Sequence, residues 1–374
     1  MILLNYWEVI LSIKKIFSEI PNNEIWKRLL IYTYPTNIIR YWKKNNIHYS
    51  QEAIEIIAGS MSQSKEYFEA SKNSSLNISP LLMYYGVTNL YTSMLGLKLG
   101  NVPIIENHGM HIDIVDKQSM IGDIEIFPKN PKTGALSIFC KFFDSQIPIC
   151  NTGKWRIQEL LATVPEILED FISCYENQEP KLIPLHIIKN KKATLFRIEN
   201  SYLKIFHNPE ETLNNVHKIS DNYLEPQCTT KYVLLRPKMN SKGSGIYSLS
   251  GQKYLEITHQ KNGRSIKLPI EISIYMILFA LSYISRYKPG IWNPFVKYDR
   301  SGEKLLIENF LSACYRVIPN YILNTISEEN FYFVNEMQGI TDNSSLFSKD
   351  EIEEIVEQKI KKNKELERFK FSEY

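Results

Sequence analysis

NISPLLMYYGVTNLYTSMLGLKLG, residues 77–100, decides the fold. Ser79 is a good N-cap residue, and Pro80 falls at the first helical position, where its missing N–H costs nothing. Leu81, Leu82, Tyr84, Tyr85, Leu90, Met94, Leu95 and Leu97 then go nearly all round the helix. A helix apolar on every side must be surrounded, so the pattern predicts the central member of a bundle. Gly96 and Gly100 allow its end.

Residues 270–286 form a second such helix, stopped by Lys288-Pro289-Gly290. Two helices that cannot cover their own circumference most simply pack on each other. Other helical segments flank them. Leu3, Trp7, Ile10, Ile13, Phe17 and Ile20 recur at helical spacing, and Asn22-Asn23 breaks this first helix from the next. Residues 50–71 carry Ala53, Ile56, Ile57 and Met61 on one face, and residues 301–315 read as a further helix.

Between the two apolar helices the texture changes. DIEIF, ALSIFCKFF, KLIPLHII, ATLFRIE, YLKIF, KYVLLRP and YLEITH are short, β-branched and aromatic, and Gly, Asn and Pro separate them. KNGR, 261–264, carries the Asn-Gly signature of a type I′ hairpin. One helix, 155–175, interrupts the strands. After residue 342 Lys and Glu dominate, and Ser348 with Glu351 makes a capping box. The expectation is an α+β fold with a discontinuous helical bundle. Its first part spans 1–118, a β-rich region is inserted at 119–266, its second part spans 267–342, and a charged helical tail follows at 343–374.

Composition narrows the class. With 374 residues, 44% hydrophobic and 23% charged, the chain has the make-up of a globular protein with a sizeable core. A net charge of +3 does not by itself argue for nucleic acid. Cys140, Cys150, Cys174, Cys228 and Cys314 are odd in number and form no CxxC pair. A disulfide framework and a zinc ribbon are therefore disfavoured, and a reducing cytoplasm fits. No basic region opens the N-terminus and Glu8 interrupts its apolar run, so it does not read as a signal peptide. Residues 268–287 reach the length of a membrane span but contain Glu271 with serines and tyrosines, which reads as a core helix rather than a membrane segment.

Residues 77–100, followed by Glu106-Asn107-His108-Gly109, resemble the signature of the bacterial YaaC-like family: a PLLxYYG helix and then a His-Gly. SQEAIEIIAGSMSQSKEYFEAS before it, WRIQELLATVPEIL after it, and LPIEISIYMILFALSYISRYKPGIW agree in order. Pro80, Tyr85, Gly86, His108, Gly109, Arg286, Tyr287 and Trp292 carry the resemblance, which covers roughly residues 25–320. It implies a fold and a compartment more firmly than an activity. The helical part is similar in texture to HEPN bundles, which often act as ribonucleases in toxin and antiphage systems through an Arg-x(4–6)-His motif. This sequence departs from that motif: Arg286 has no histidine within reach, and Arg40 lies eight residues before His48.

His108-Gly109-Met110-His111 with Asp113 and Asp116 contains ligand-type side chains, but no second cluster completes a zinc site. His108 reads either as a turn residue bonded to the bundle or as part of a polar site. Arg286 either complements its own helix dipole or faces an anion. Tyr84 and Tyr85 need hydroxyl partners if buried, and His108 or Arg286 could supply them. The candidate site is therefore His108, Arg286, Tyr85 and Tyr287. Asp123 and Glu125 are wrongly spaced from Lys141 for a nuclease core, and Ser241-Lys242-Gly243-Ser244-Gly245 lies among strand-like residues, unlike a phosphate loop. The Tyr, Trp and Lys residues of 32–44 could meet nucleic acid.

No motif calls for a cofactor or a metal. With no complete catalytic motif, the expectation is a non-catalytic binding or scaffold protein. It would be an accessory component of an antiphage-defence or stress module. Its partner would be another protein or a second copy, reached through the charged tail. A HEPN-like ribonuclease or other phosphodiesterase is the alternative.

Overall fold

The computed structural model describes residues 13–114, 120–129, 133–143, 152–189, 194–238 and 245–334. The helical tail expected at 343–374, the loop 241–244, Asp116 and most of the expected first helix lie outside the described residues.

The chain forms two units, residues 1–24 with 329–374 and residues 25–328. In the first, β1 (Ile13–Phe17) pairs in parallel with β13 (Asn330–Val334), Ile13 opposite Asn330 and Phe17 opposite Val334. Lys14 reaches Glu329 at 3.5 Å and lies over the Phe331 ring. Residues 13–17 are thus a strand and not the end of a helix. The β-branched and aromatic residues of IKKIF meet a matching NFYFV partner, and strand pairing overrides the helical spacing.

α1 (Pro21–Leu29) spans the boundary at residue 25, and the second unit continues with a 3-10 turn (Leu30–Thr33), α2 (Pro35–Lys44), α3 (Glu52–Lys72) and α4 (Ser79–Leu99). Asn22 and Asn23 do not separate two helices; they sit in the first turn of α1 behind Pro21, where Pro starts a helix. The cap of α4 also differs from expectation. Ile78 is the flanking residue, and Ser79, already helical, meets Ser71 Oγ at 2.9 Å. Gly100 closes α4 at φ 75°, as its lack of a Cβ allows.

Glycine and serine build the α3–α4 contact. A Cβ on Gly96 would meet Ile57 Cγ1 at 2.5 Å, and one on Gly86 would meet Phe68 Cδ2 at 2.8 Å. Ser93 Oγ donates to Ile57 O (3.0 Å) and Ser64 Oγ to Gly86 O (2.9 Å).

Residues 107–266 hold shorter elements. They are β2 (Met110–Asp113), β3 (Glu125–Pro128), α5 (Ala135–Phe143), β4 (Trp155–Arg156), α6 (Ile157–Leu161), α7 (Leu168–Cys174), β5 (Leu182–Lys189), β6 (Thr194–Glu199), α8 (Asn200–Leu203), α9 (Pro209–Asn214), α10 (Ile219–Asn222), β7 (Gln227–Cys228), β8 (Tyr232–Leu235), β9 (Ile246–Tyr247), β10 (Lys253–Glu256), β11 (His259–Lys261) and β12 (Arg264–Ile266). ALSIFCKFF is a helix, not a strand: Leu136, Phe139, Cys140 and Phe143 are buried at helical spacing. YLKIF likewise begins in α8. The expected helix 155–175 breaks into β4, α6 and α7 around Pro165.

One antiparallel sheet runs in the order β7-β8-β6-β5-β10-β9. Ile183, Leu185, Ile198, Leu235 and Leu255 from its strands bury against Leu203, Phe206, Leu213 and Tyr223 from the short helices and their connections. The β11–β12 hairpin turns on Asn262 and Gly263, both at positive φ (50° and 71°), as a type I′ turn requires.

Then come α11 (Ile270–Tyr287), α12 (Pro289–Tyr298) and α13 (Glu303–Ser327). α11 and α13 both pack on α4, so the bundle is discontinuous in sequence. Pro289 stops α11 and at once starts α12, while α13 runs well past residue 315 and through Pro319. α11 is long and apolar enough to cross a membrane, but 72% of it is buried inside the fold. The fold class is α+β.

Gly96→Leu should cost about 1–3 kcal/mol in urea unfolding, because overpacking would push α3 off α4. Gly59→Ala, on the exposed side of α3 with open space around it, should instead gain about 0.5–1 kcal/mol.

Candidate functional site

The loop after α4 is pinned from several sides. Asn107 Oδ1 accepts from Gly109 N (3.0 Å). Ala135 N donates to Asn107 O (2.9 Å) and Leu136 N to His108 O (3.2 Å), so the first amides of α5 are used to hold this turn. Lys129 N donates to Gly109 O (2.8 Å). Gly109 adopts φ 73°, and a Cβ there would press on Leu136 at 3.3 Å. These bonds fix the direction in which His108 leaves the backbone.

His108 Nδ1 is hydrogen-bonded to Tyr84 Oη (2.7 Å), which also meets Tyr275 Oη (2.9 Å). The His108 ring packs against Phe279, centroids 5.4 Å apart. Tyr84 and Tyr275 are fully buried, whereas His108 is exposed at its outer edge. Burial drives both tyrosine hydroxyls far above their ordinary pKa, so they act as hydrogen-bonding groups and not as phenolates. Partial burial, then the positive charge of Arg286, lowers His108 below the usual histidine value and favours the neutral ring.

Arg286 Nε donates to Ser282 O (3.0 Å) and Nη2 to Ser282 Oγ (3.1 Å), which closes the end of α11. Its guanidinium lies 4.8 Å from the Tyr287 ring centroid and 6.0 Å from that of Tyr85. Of the four candidate residues, Tyr85, Arg286 and Tyr287 therefore touch in a row. His108 joins them through Tyr84 and through the reach of the Arg286 charge. The partner of His108 is Tyr84 rather than Tyr85. Tyr275, Phe279 and Tyr283 complete the cluster, and none was singled out by motif. Their signal was the four-residue spacing 275, 279, 283, 287, which lays one aromatic stripe along α11.

Other ligand-type residues lie apart. His111 stacks on Phe127 at 4.8 Å. Asp123 accepts from Gln158, Glu125 pairs with Lys154 at 2.6 Å, and Lys141 is exposed on α5. Among the described residues no three His, Cys, Asp or Glu side chains gather as a metal site. In 32–44 two of the aromatic side chains turn inward: Trp42 Nε1 donates to Leu97 O and Tyr41 Oη to Ile326 O. Glu303 and His259 are among the polar groups buried elsewhere. Glu303 accepts from Ile121 N, Gly122 N and Tyr175 Oη. His259, against Trp155, is held down to about 3 by complete burial and then by Lys181 and Lys261.

A helical core interrupted by an antiparallel sheet, with a tyrosine–histidine–arginine cluster on its bundle, defines a mixed α+β protein built around α4 and α11. The chain belongs to the YaaC-like family, described as YaaC-like Protein, which matches residues 20–326 and so includes the whole cluster. Comparison with curated proteins and with solved structures returned no match.

Tyr84→Phe should destabilise the chain by about 1–3 kcal/mol, since it removes the buried hydroxyl that bonds both Tyr275 and His108. Acid should also destabilise it. A histidine whose folded pKa is lowered adds stability that is complete above its unfolded value near 6.5 and is lost as pH falls toward the folded value. His108 and His259 share this sign. The melting temperature should fall between pH 7 and pH 4, and His259→Phe should flatten that slope more than His108→Asn.

Proposed function

We propose that this chain is a non-catalytic binding protein whose recognition face is formed by His108, Arg286, Tyr85 and Tyr287. One observation carries the reading. The cluster's hydroxyl and guanidinium groups are largely spent on protein partners, the Tyr84 hydroxyl on His108 and Tyr275 and the Arg286 guanidinium on Ser282 and Tyr287, and among the described residues no nucleophile stands beside the free edge of His108. What faces outward is the far edge of one imidazole, the rest of a guanidinium and two tyrosine rings. That is a set of contacts for holding a ligand, without a nucleophile poised beside a base.

The proposed setting is an accessory role in a bacterial antiphage-defence or stress module. It rests on the resemblance in sequence texture between the helical part and HEPN bundles. The charged segment 343–374 is proposed as a second contact, with another protein or a second copy of the chain.

The convergence of His108 with Arg286 favours one alternative. A neutral histidine beside an arginine is a base beside a phosphate clamp, as a phosphodiesterase would use. Labelled single-stranded RNA and DNA incubated with the intact chain separate the two. The binding reading expects no strand cleavage, and it expects His108→Ala to leave the melting temperature within about 2 °C, because the Tyr84 hydroxyl keeps Tyr275 as its partner when the imidazole is removed. Cleavage that His108→Ala abolishes would replace this reading with the phosphodiesterase.

A further inference from the structure

We infer that the aromatic and basic face of α4 and α11 binds single-stranded nucleic acid, with bases stacking on Tyr287 and Tyr85 and phosphates meeting Arg286 and Lys288. This names the ligand of the binding face proposed above and rests on that reading.

The first support is the row of π-surfaces. Tyr67 and Tyr85 lie 5.9 Å apart, Arg286 is 6.0 Å from Tyr85 and 4.8 Å from Tyr287, and Tyr287 is 5.2 Å from Tyr283. Tyr287, at the end of α11, is 59% exposed. Tyrosine rings beside an arginine plane are the usual platform for unpaired bases, because every base has a face to stack and the guanidinium adds a cation–π contact.

The second support is local charge. Residues 286–300 contain Arg286, Lys288, Lys297 and Arg300 against a single acid, Asp299. Asp299 is consumed as a cap: its carboxylate accepts from Ser301 N and Oγ, Gly302 N and Lys304 N. Lys288, Lys297 and Arg300 are exposed. Near His108, Glu106 is tied to Thr133. The small net charge of the whole chain hides this segment, because acids elsewhere cancel it.

The third support is the outer ring nitrogen of His108, which has no partner among the described residues and stands on a backbone already fixed. It offers a hydrogen bond to a base edge. A duplex would present phosphates but no open base faces, so the aromatic row selects single strands.

Fluorescence anisotropy tests this with the intact chain, a labelled mixed-sequence oligonucleotide as RNA and as DNA, and its duplex, at low and moderate salt. The single strand should bind more tightly than the duplex, and added salt should weaken it. Tyr287→Ala should weaken binding about tenfold with melting unchanged, Arg286→Gln should weaken it similarly with a small loss of stability from the bonds to Ser282, and Tyr287→Trp should keep the binding that Tyr287→Ala loses. Absence of binding, equal affinity for the duplex, indifference to Tyr287→Ala, or equally effective displacement by poly-glutamate would each overturn the inference. The recovered strand keeps the two readings apart. Bound and intact supports both. Bound and cut keeps nucleic acid as ligand but overturns the non-catalytic reading. A failure to bind overturns only the ligand.

Discussion

The structure depends on covering α4. A helix that is apolar on all sides has no face to give to water, so neighbours must close round it. α3 comes close because Gly86 and Gly96 present no side chain, and the serine hydroxyls in the seam find backbone carbonyls instead of being stranded. α11 and α13, nearly 200 residues further along, cover other sides. A distant segment is thus required by the composition of a local one.

Covering α4 with aromatic residues creates a second demand. Tyr84, Tyr91 and Tyr275 bring hydroxyls into a dry interior, and each must bond. Tyr91 donates to Glu271 O (3.0 Å), while Tyr84 and Tyr275 use each other and His108. The cluster is therefore partly a solution to a packing problem. At its outer rim Arg286 still bonds the carbonyl and hydroxyl of the buried Ser282, while the Tyr85 and Tyr287 rings remain in reach of solvent. Full burial ends between Tyr84 and Tyr85, adjacent residues on the same helix: the first is sealed in the core and the second is half-buried.

The β-bearing part is tied to the bundle by more than the chain. Glu303 opens α13 and holds the amides of Ile121 and Gly122 together with the Tyr175 hydroxyl. Burial raises the pKa of this carboxyl, and the three donors offset the effect. These bonds join the start of α13 to segments more than a hundred residues earlier in the chain.

By itself the sequence determined α4 and α11, because apolar residues recur nearly all round each of them at helical spacing, and it determined the Asn262-Gly263 hairpin, because a type I′ turn favours those residues. It also marked His108, Arg286, Tyr85 and Tyr287 as unusual in their surroundings. It could not separate ALSIFCKFF the helix from ALSIFCKFF the strand, since short aromatic runs suit both until a neighbour chooses. The same holds for IKKIF, which is a strand because NFYFV lies beside it. Only the tertiary structure decided that His108 bonds Tyr84 and not Tyr85. Adjacent helical residues point about 100° apart, and which of them faces inward depends on where α11 lies. Helix periodicity is written in the chain, but the partner that each face meets is set by segments far away in it.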